Sequence, residues 1–196
     1  LWDKRKNAKC LSRVFETLSI DLPNARLIIK SSGDDIPPER EPSNITYVSK
    51  HISEGQMNAL FRISDAYVSA HHSEGWGLPM SDAMLFGIPV IATAYSGNLE
   101  FMNEANSFLV KARETYIAES DCFGKFDHAM RWAEPDHEEL RKAITFVATH
   151  YDGPVVRGRV VQARRSIGQF NRDCVSGMMF NRLRQIEAEW RQRRVP

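Results

Sequence analysis

Short apolar runs alternate with amphipathic stretches over the first two-thirds of the chain. Residues 7–19 carry Leu11, Val14, Phe15 and Leu18 at helical spacing and predict a helix. Pro23 and Asn24 end it. Residues 25–30 predict a strand, 31–44 a polar Gly/Pro loop and 45–48 a second strand. Ser53 and Glu54 open a helix to about residue 63, with Met57, Leu60 and Phe61 inward. Residues 66–69 predict a strand that runs into His71-His72-Ser73-Glu74. Pro79 begins a helix that stops at Gly87, followed by a strand at 90–92 and a turn at Ser96-Gly97-Asn98. A short helix at 99–103 and a strand at 108–110 close the series.

This alternation predicts an α/β fold: a Rossmann-like parallel sheet with helices on both faces. An all-helical fold is disfavoured, because the apolar runs are short and β-branched. Residues 113–133 show no clear period, and Phe123-Gly124-Lys125-Phe126 suggests a loop. Pro135 is expected at a helix start, with Leu140, Ile144 and Val147 as the stripe of that helix. Helical patterning resumes near Val155. A last helix over 177–194 places Met179, Leu183, Ile186 and Trp190 on one face.

The 196 residues, 42% apolar and 26% charged, suit one globular domain with an appendage. No run approaches the roughly 20 apolar residues of a membrane span. Cysteines at 10, 122 and 174 are too scattered for a disulfide framework or a zinc site and read as free thiols in a reducing compartment. A net charge of +1 conceals a gradient: residues 157–194 hold ten arginines against Asp173, Glu187 and Glu189. Such a basic helix suits packing on a domain, or peripheral contact with an anionic membrane. Nucleic acid is not the expected partner.

Chemistry concentrates in His71-His72-Ser73-Glu74-Gly75-Trp76-Gly77-Leu78-Pro79-Met80-Ser81-Asp82. The segment leaves a strand end through glycines into a helix, which is where open α/β sheets bind ligands. Gly75 and Gly77 permit close backbone approach, and the helix start offers N–H groups to a phosphate. Glu74 and Asp82, eight residues apart, can face one crevice but not form a tight dyad. The plainer alternative is a strand–helix turn in which Trp76 and Leu78 fill core. Neither the dinucleotide fingerprint nor the Lys-Ser/Thr phosphate loop is present. His71 and His72 point to opposite faces of an extended strand, which argues against a metal between them, and His72 is expected either at the surface or as a group supporting the pocket residues.

Glu74-Gly75-Trp76-Gly77-Leu78-Pro79, Asp82, Ala83, Gly87, Pro89-Val90-Ile91-Ala92-Thr93 and Ser96-Gly97-Asn98 together resemble the donor-site signature of GT-B glycosyltransferases, family 4. Arg5-Lys6-Asn7, Val48-Ser49-Lys50 and Trp132-Ala133-Glu134-Pro135-Asp136 are similar to further segments of that family. The resemblance covers about residues 5–150. It implies the C-terminal half of a two-domain retaining enzyme, which moves a hexosyl-type unit from a nucleoside-diphosphate sugar to a hydroxyl. It also implies that no metal or permanently bound cofactor is needed.

By the same resemblance Glu74 and Lys6 are the catalytic pair. Glu74 lies at the donor sugar, and Lys6 neutralises the leaving diphosphate, with Arg5 as a substitute. Asp82 takes the ribose position, where the family usually has the longer Glu. Backbone of Gly75, Trp76, Gly77 and Leu78 lines the diphosphate, His71 shapes the pocket, Ser49 and Lys50 stand near the base, and Ser96 and Gly97 near the donor. Residues 1–176 are then a nucleotide-sugar-binding domain, and 177–196 a helix packing toward an N-terminal domain that takes a glycan or lipid-linked acceptor. The implied setting is polysaccharide biosynthesis in the cytoplasm, with peripheral contact at the inner membrane face, and this half alone is expected to be inactive. The rival readings are a non-catalytic sugar-nucleotide-binding module and another GT-B enzyme such as an epimerase. A two-carboxylate glycosidase does not fit.

Overall fold

In the computed structural model, residues 4–31, 42–122, 124 and 126–193 are described. Most of the expected 31–44 loop, as well as Phe123, Lys125 and Arg194, lies outside them. A 3-10 turn, Lys4–Lys6, leads into helix α1, Ala8–Leu18. Strands β1, Leu27–Lys30, and β2, Ile45–Val48, pair in parallel. After helix α2, Glu54–Ile63, come strand β3, Tyr67–Ser69, helix α3, Leu78–Phe86, and strand β4, Val90–Thr93. Strand β5, Phe108–Val110, completes a parallel sheet in the order β3-β4-β5.

Side-chain alternation along β4 explains why helices cover both faces. Ile91 enters one core with Leu11, Val14, Phe15 and Leu18 of α1 and Leu140, Ile144 and Val147 of a later helix. Val90 and Ala92 enter the other, with Met80, Ala83 and Met84 of α3. Successive strand residues point to opposite faces, so a strand between two layers must be apolar throughout. All four β4 residues are buried. The α/β Rossmann-like architecture with helices flanking parallel strands is therefore present.

The caps are local. Ser53 accepts from the Gln56 N–H while the Gln56 side chain accepts from Ser53 N–H, a reciprocal box that starts α2. Gly77 and Gly87, with φ of 94° and 76°, bracket α3. Both lie in left-handed backbone that glycine adopts freely.

Four elements depart from expectation, the first being the helix expected at 99–103, which is a 3-10 turn at Gly97–Glu100. Residues 113–133 are largely an antiparallel hairpin, β6, Ala112–Tyr116, against β7, Arg131–Pro135. Pro135 ends β7 instead of opening a helix. The cap is Asp136, whose carboxylate accepts from the N–H groups of Glu138 and Glu139 to start α4, His137–Thr149. After α5, Pro154–Ile167, the last helix, α6, spans Arg172–Gln192 and so starts before Gly177. Asn171 caps its first turn by accepting from Cys174 N–H. None of the α6 residues is buried, so its apolar stripe lies open to solvent.

Candidate functional site

Strand β3 delivers two buried histidines, His71 and His72, just past its C-terminal end. The His72 N–H donates to Arg5 O at 2.7 Å, which docks the Lys4–Lys6 turn against the strand end. This backbone bond links the Lys4–Lys6 turn to the β3–α3 loop. It places Lys6 against a residue 68 positions away: Lys6 Nζ donates to Glu74 Oε1. The Glu74 side chain is 10% exposed and that of Lys6 45%. An ion pair with a solvent-reaching lysine contributes about 0–1 kcal/mol, so it rearranges at little cost.

The Glu74 backbone is fixed from above. Its N–H donates to Ser96 Oγ at 2.7 Å, and Gly97 N–H donates to Glu74 O at 3.1 Å. The two loops touch so closely that a Cβ on Gly97 would stand 2.0 Å from Gly75 O. Ser96 itself sits at φ 75° and ψ −152°, a region that belongs essentially to glycine. Strain of this kind persists only where the surroundings over-determine it, and here Ser96 Oγ is held by the Glu74 N–H.

Beneath the turn lies a buried polar relay. His71 Nε2 faces two acceptors, Tyr95 O and Asn98 Oδ1, each at 3.2 Å, while Nδ1 faces Ser69 Oγ at 3.0 Å. Two acceptors on one side require Nε2 to carry the proton and Nδ1 to accept from the serine hydroxyl. Asn98 Nδ2 then donates to Thr93 O at 3.1 Å. Burial pushes the His71 pKa below its ordinary value, partly opposed by its bonds to Tyr95 and Asn98. A depressed folded pKa makes the unfolded chain the stronger proton binder. His71 thus contributes stability that is present above the unfolded value of 6.5 and is lost as pH falls below it. Urea midpoints are expected to fall as pH drops below 6.5, and to fall less in His71→Gln. Equal pH slopes for the two proteins would contradict the assignment.

Gly75, Trp76, Gly77 and Leu78 make no backbone N–H hydrogen bond among the described residues. These four donors run into the first turn of α3, where helix N–H groups attract anions. The Trp76 ring, however, packs on Phe101 and Phe170 with centroids 4.7 and 4.9 Å apart. Its side chain belongs to the core, leaving its backbone to the site, whereas Leu78 is exposed. Asp82 is exposed on α3, and desolvation by its neighbours raises its carboxyl pKa. Burial raises the Tyr67 phenol, and the charges of Glu74 and Asp82 raise it further.

Other expected residues are placed elsewhere. Ser49 and Lys50 follow the C-terminal end of β2, with no hydrogen bond to Glu74 or Lys6. The Arg5 guanidinium lies 5.3 Å above the Phe126 ring, and the Arg5 carbonyl meets the strand end. His72 is not at the surface. It stacks on Trp132 at 4.0 Å between centroids, and its Nδ1 lies 2.8 Å from Ala133 O. Sequence reading missed Tyr67 and the carbonyl of Tyr95. The one signal for the entry turn was Asn7, whose φ of 52° uses the tolerance of asparagine for left-handed backbone.

The sequence model of the family described as glycosyl transferases group 1 matches residues 2–120. A sucrose-phosphate synthase from Thermosynechococcus elongatus superposes with a TM-score of 0.67 at 20% identity, over 96% of this chain and 44% of its own. The C-terminal domain of a glycosyl transferase group 1 protein, LpcC, from Francisella tularensis gives 0.62 at 15% identity, over 85% and 80%. Anabaena HepE, solved in complex with UDP, gives 0.53 at 16% identity, over 72% and 32%. At these identities the likeness is one of fold. The chain spans less than half the length of the synthase and of HepE. No curated protein matches the sequence.

Proposed function

We propose, from the premise that this chain belongs to the glycosyl transferases group 1 family, that it is the donor-binding half of a GT-B enzyme. The finer reading is family 4 and its C-terminal domain. The observation that carries it is the Lys6–Glu74 pair set beside the unpaired N–H groups of residues 75–78. A nucleoside-diphosphate sugar supplies what each half of that pair lacks. The diphosphate takes the lysine and the N–H row, and the sugar hydroxyls donate to the carboxylate.

The reaction is transfer of a hexosyl-type unit to an acceptor hydroxyl with retention of configuration. Charge grows on the departing diphosphate, and Lys6 and the α3 N-terminus stabilise it where it forms. The residue-82 carboxylate takes the ribose, and Ser49 and Lys50 approach the base. No metal is assigned a part in this step. The acceptor, a glycan or lipid-linked sugar, comes from an N-terminal domain. Residues 1–176 form the donor domain, and 177–196, described only to residue 193, reach toward that partner. The work belongs to cytoplasmic polysaccharide assembly, with the arginines of α6 available to an anionic membrane. No helix among the described residues is long and apolar enough to cross one.

The test is calorimetric titration of the chain with UDP, GDP and ADP, with UDP first because HepE was solved with it. Binding of one nucleotide in preference to the other two is the expected result. A folded chain that binds none, and whose extension to the full-length protein neither hydrolyses nor transfers any donor, overturns the proposal.

A further inference from the structure

On the other side of the docked Lys4–Lys6 turn lies a cavity of about 310 Å³, between the first turn of α1 and the β7–α4 junction. Three side chains of different chemistry meet on its wall. They are Cys10 from α1, Glu134 from β7 and His137 from the start of α4, with ligand-capable atoms all within 4.8 Å of one another. We propose that Cys10, Glu134 and His137 form a divalent-metal site, suited to zinc, with its fourth position open to the cavity.

The donor set fits. A thiolate, an imidazole nitrogen and a carboxylate oxygen are zinc's usual ligands, and three protein ligands with one open position make a tetrahedral site. Ligand atoms around one zinc stand roughly 3–4 Å apart, so the trio needs to close by about an ångström. His137 Nε2 already lies 3.1 Å from Glu134 Oε1. The opposite oxygen, Oε2, lies 3.4 Å from His72 Nδ1, and that nitrogen also faces Ala133 O at 2.8 Å. The His72 Nδ1–H is engaged by Ala133 O, so His72 borders the carboxylate rather than ligating alongside it. Asn7 Nδ2 lines the same cavity, buried and without a hydrogen-bond partner among the described residues. It is a donor available to a thiolate.

Binding has to displace the Cys10 proton. Burial, and then the charge of Glu134, push the Cys10 thiol up to about 12, so the sulfur keeps its proton unless a cation replaces it. On binding, the S–H bond breaks, sulfur donates its electron pair to the metal and the proton leaves to solvent. Of the basic groups on the wall, Lys4 is paired with Asp121, and Lys9 and Arg13 are exposed and able to turn outward. The ion ties α1 to β7 and α4, next to the turn that carries Lys6. The site stands independently of the donor reading.

The test is titration of the metal-free chain with Co²⁺, followed by competition with Zn²⁺. One equivalent should bind, with a sulfur-to-cobalt charge-transfer band that zinc abolishes. Affinity should rise about tenfold per pH unit, from the one proton released. Cys10→Ala should remove the band, and the Cys122→Ser/Cys174→Ser double variant should keep it. His137 is exposed, so His137→Ala leaves the core intact and should weaken binding at least tenfold. The proposal is overturned by the absence of a band at stoichiometric metal in a folded chain. A band that follows Cys122 or Cys174, or one that His137→Ala leaves at full affinity, also overturns it.

Discussion

Lys6→Ala in the full-length enzyme should lower kcat by about 100- to 1,000-fold, the usual loss when one preorganised group facing developing charge is removed. The reason lies in how little the lysine does for the fold. Its head is 45% exposed and its one ion-pair partner among the described residues is Glu74, so its structural contribution is about 1 kcal/mol at most. A residue that is inexpensive to the fold and placed beside four unpaired N–H groups is free to serve a ligand. In the isolated chain the same variant should weaken a nucleoside diphosphate at least tenfold, and a nucleoside without phosphate hardly at all. Glu74→Gln should leave diphosphate binding near normal and reduce binding of the sugar-bearing donor, because the carboxylate is assigned to hydroxyls. Unfolding midpoints should move by no more than a few degrees in either variant. Equal loss of diphosphate and nucleoside binding in Lys6→Ala would mean that it collapses the loop, and the phosphate role would fail.

How far the sequence led depended on what each residue's neighbours were. The parallel core was legible because β4 and the helices over it are buried by periodic apolar residues, and period is a local property. The β6–β7 hairpin was not legible: Arg113, Glu114 and Tyr116 of β6 are exposed, so no alternation marks the strand. The meeting of Lys6 with Glu74 is not a pattern of spacing at all. Resemblance suggested both residues, but only the His72–Arg5 backbone bond explains why they touch. The surface alternative for His72 failed for the same reason. Alternation said that it left the face of His71, but not that Trp132 and Ala133 of a distant strand cover it. Trp76 shows the reverse case. The apolar alternative was right for its ring, while its backbone stays with the N–H row.

Gly97→Ala should be the most disruptive single methyl in the site. The added Cβ would stand 2.0 Å from Gly75 O, 2.6 Å from Gly75 C and 3.0 Å from Glu74 O. All three are backbone atoms, so no rotamer relieves the contact and one loop must move. Overpacking of this kind costs about 1–3 kcal/mol, or roughly 2–4 °C per kcal/mol in a domain of this size. The displaced loop is the one whose Glu74 N–H and carbonyl are held by Ser96 and Gly97. The loss should therefore extend to nucleotide affinity, well beyond what the stability change alone implies. Gly75→Ala is the matched control. Its Cβ meets nothing within 4 Å, so stability should stay near that of the parent, and any change in affinity would report the approach of ligand to that backbone. If Gly97→Ala binds nucleotide as tightly as the parent at a temperature where both are folded, the contact between the two loops is a packing detail, and the site has to be sought away from the strand end.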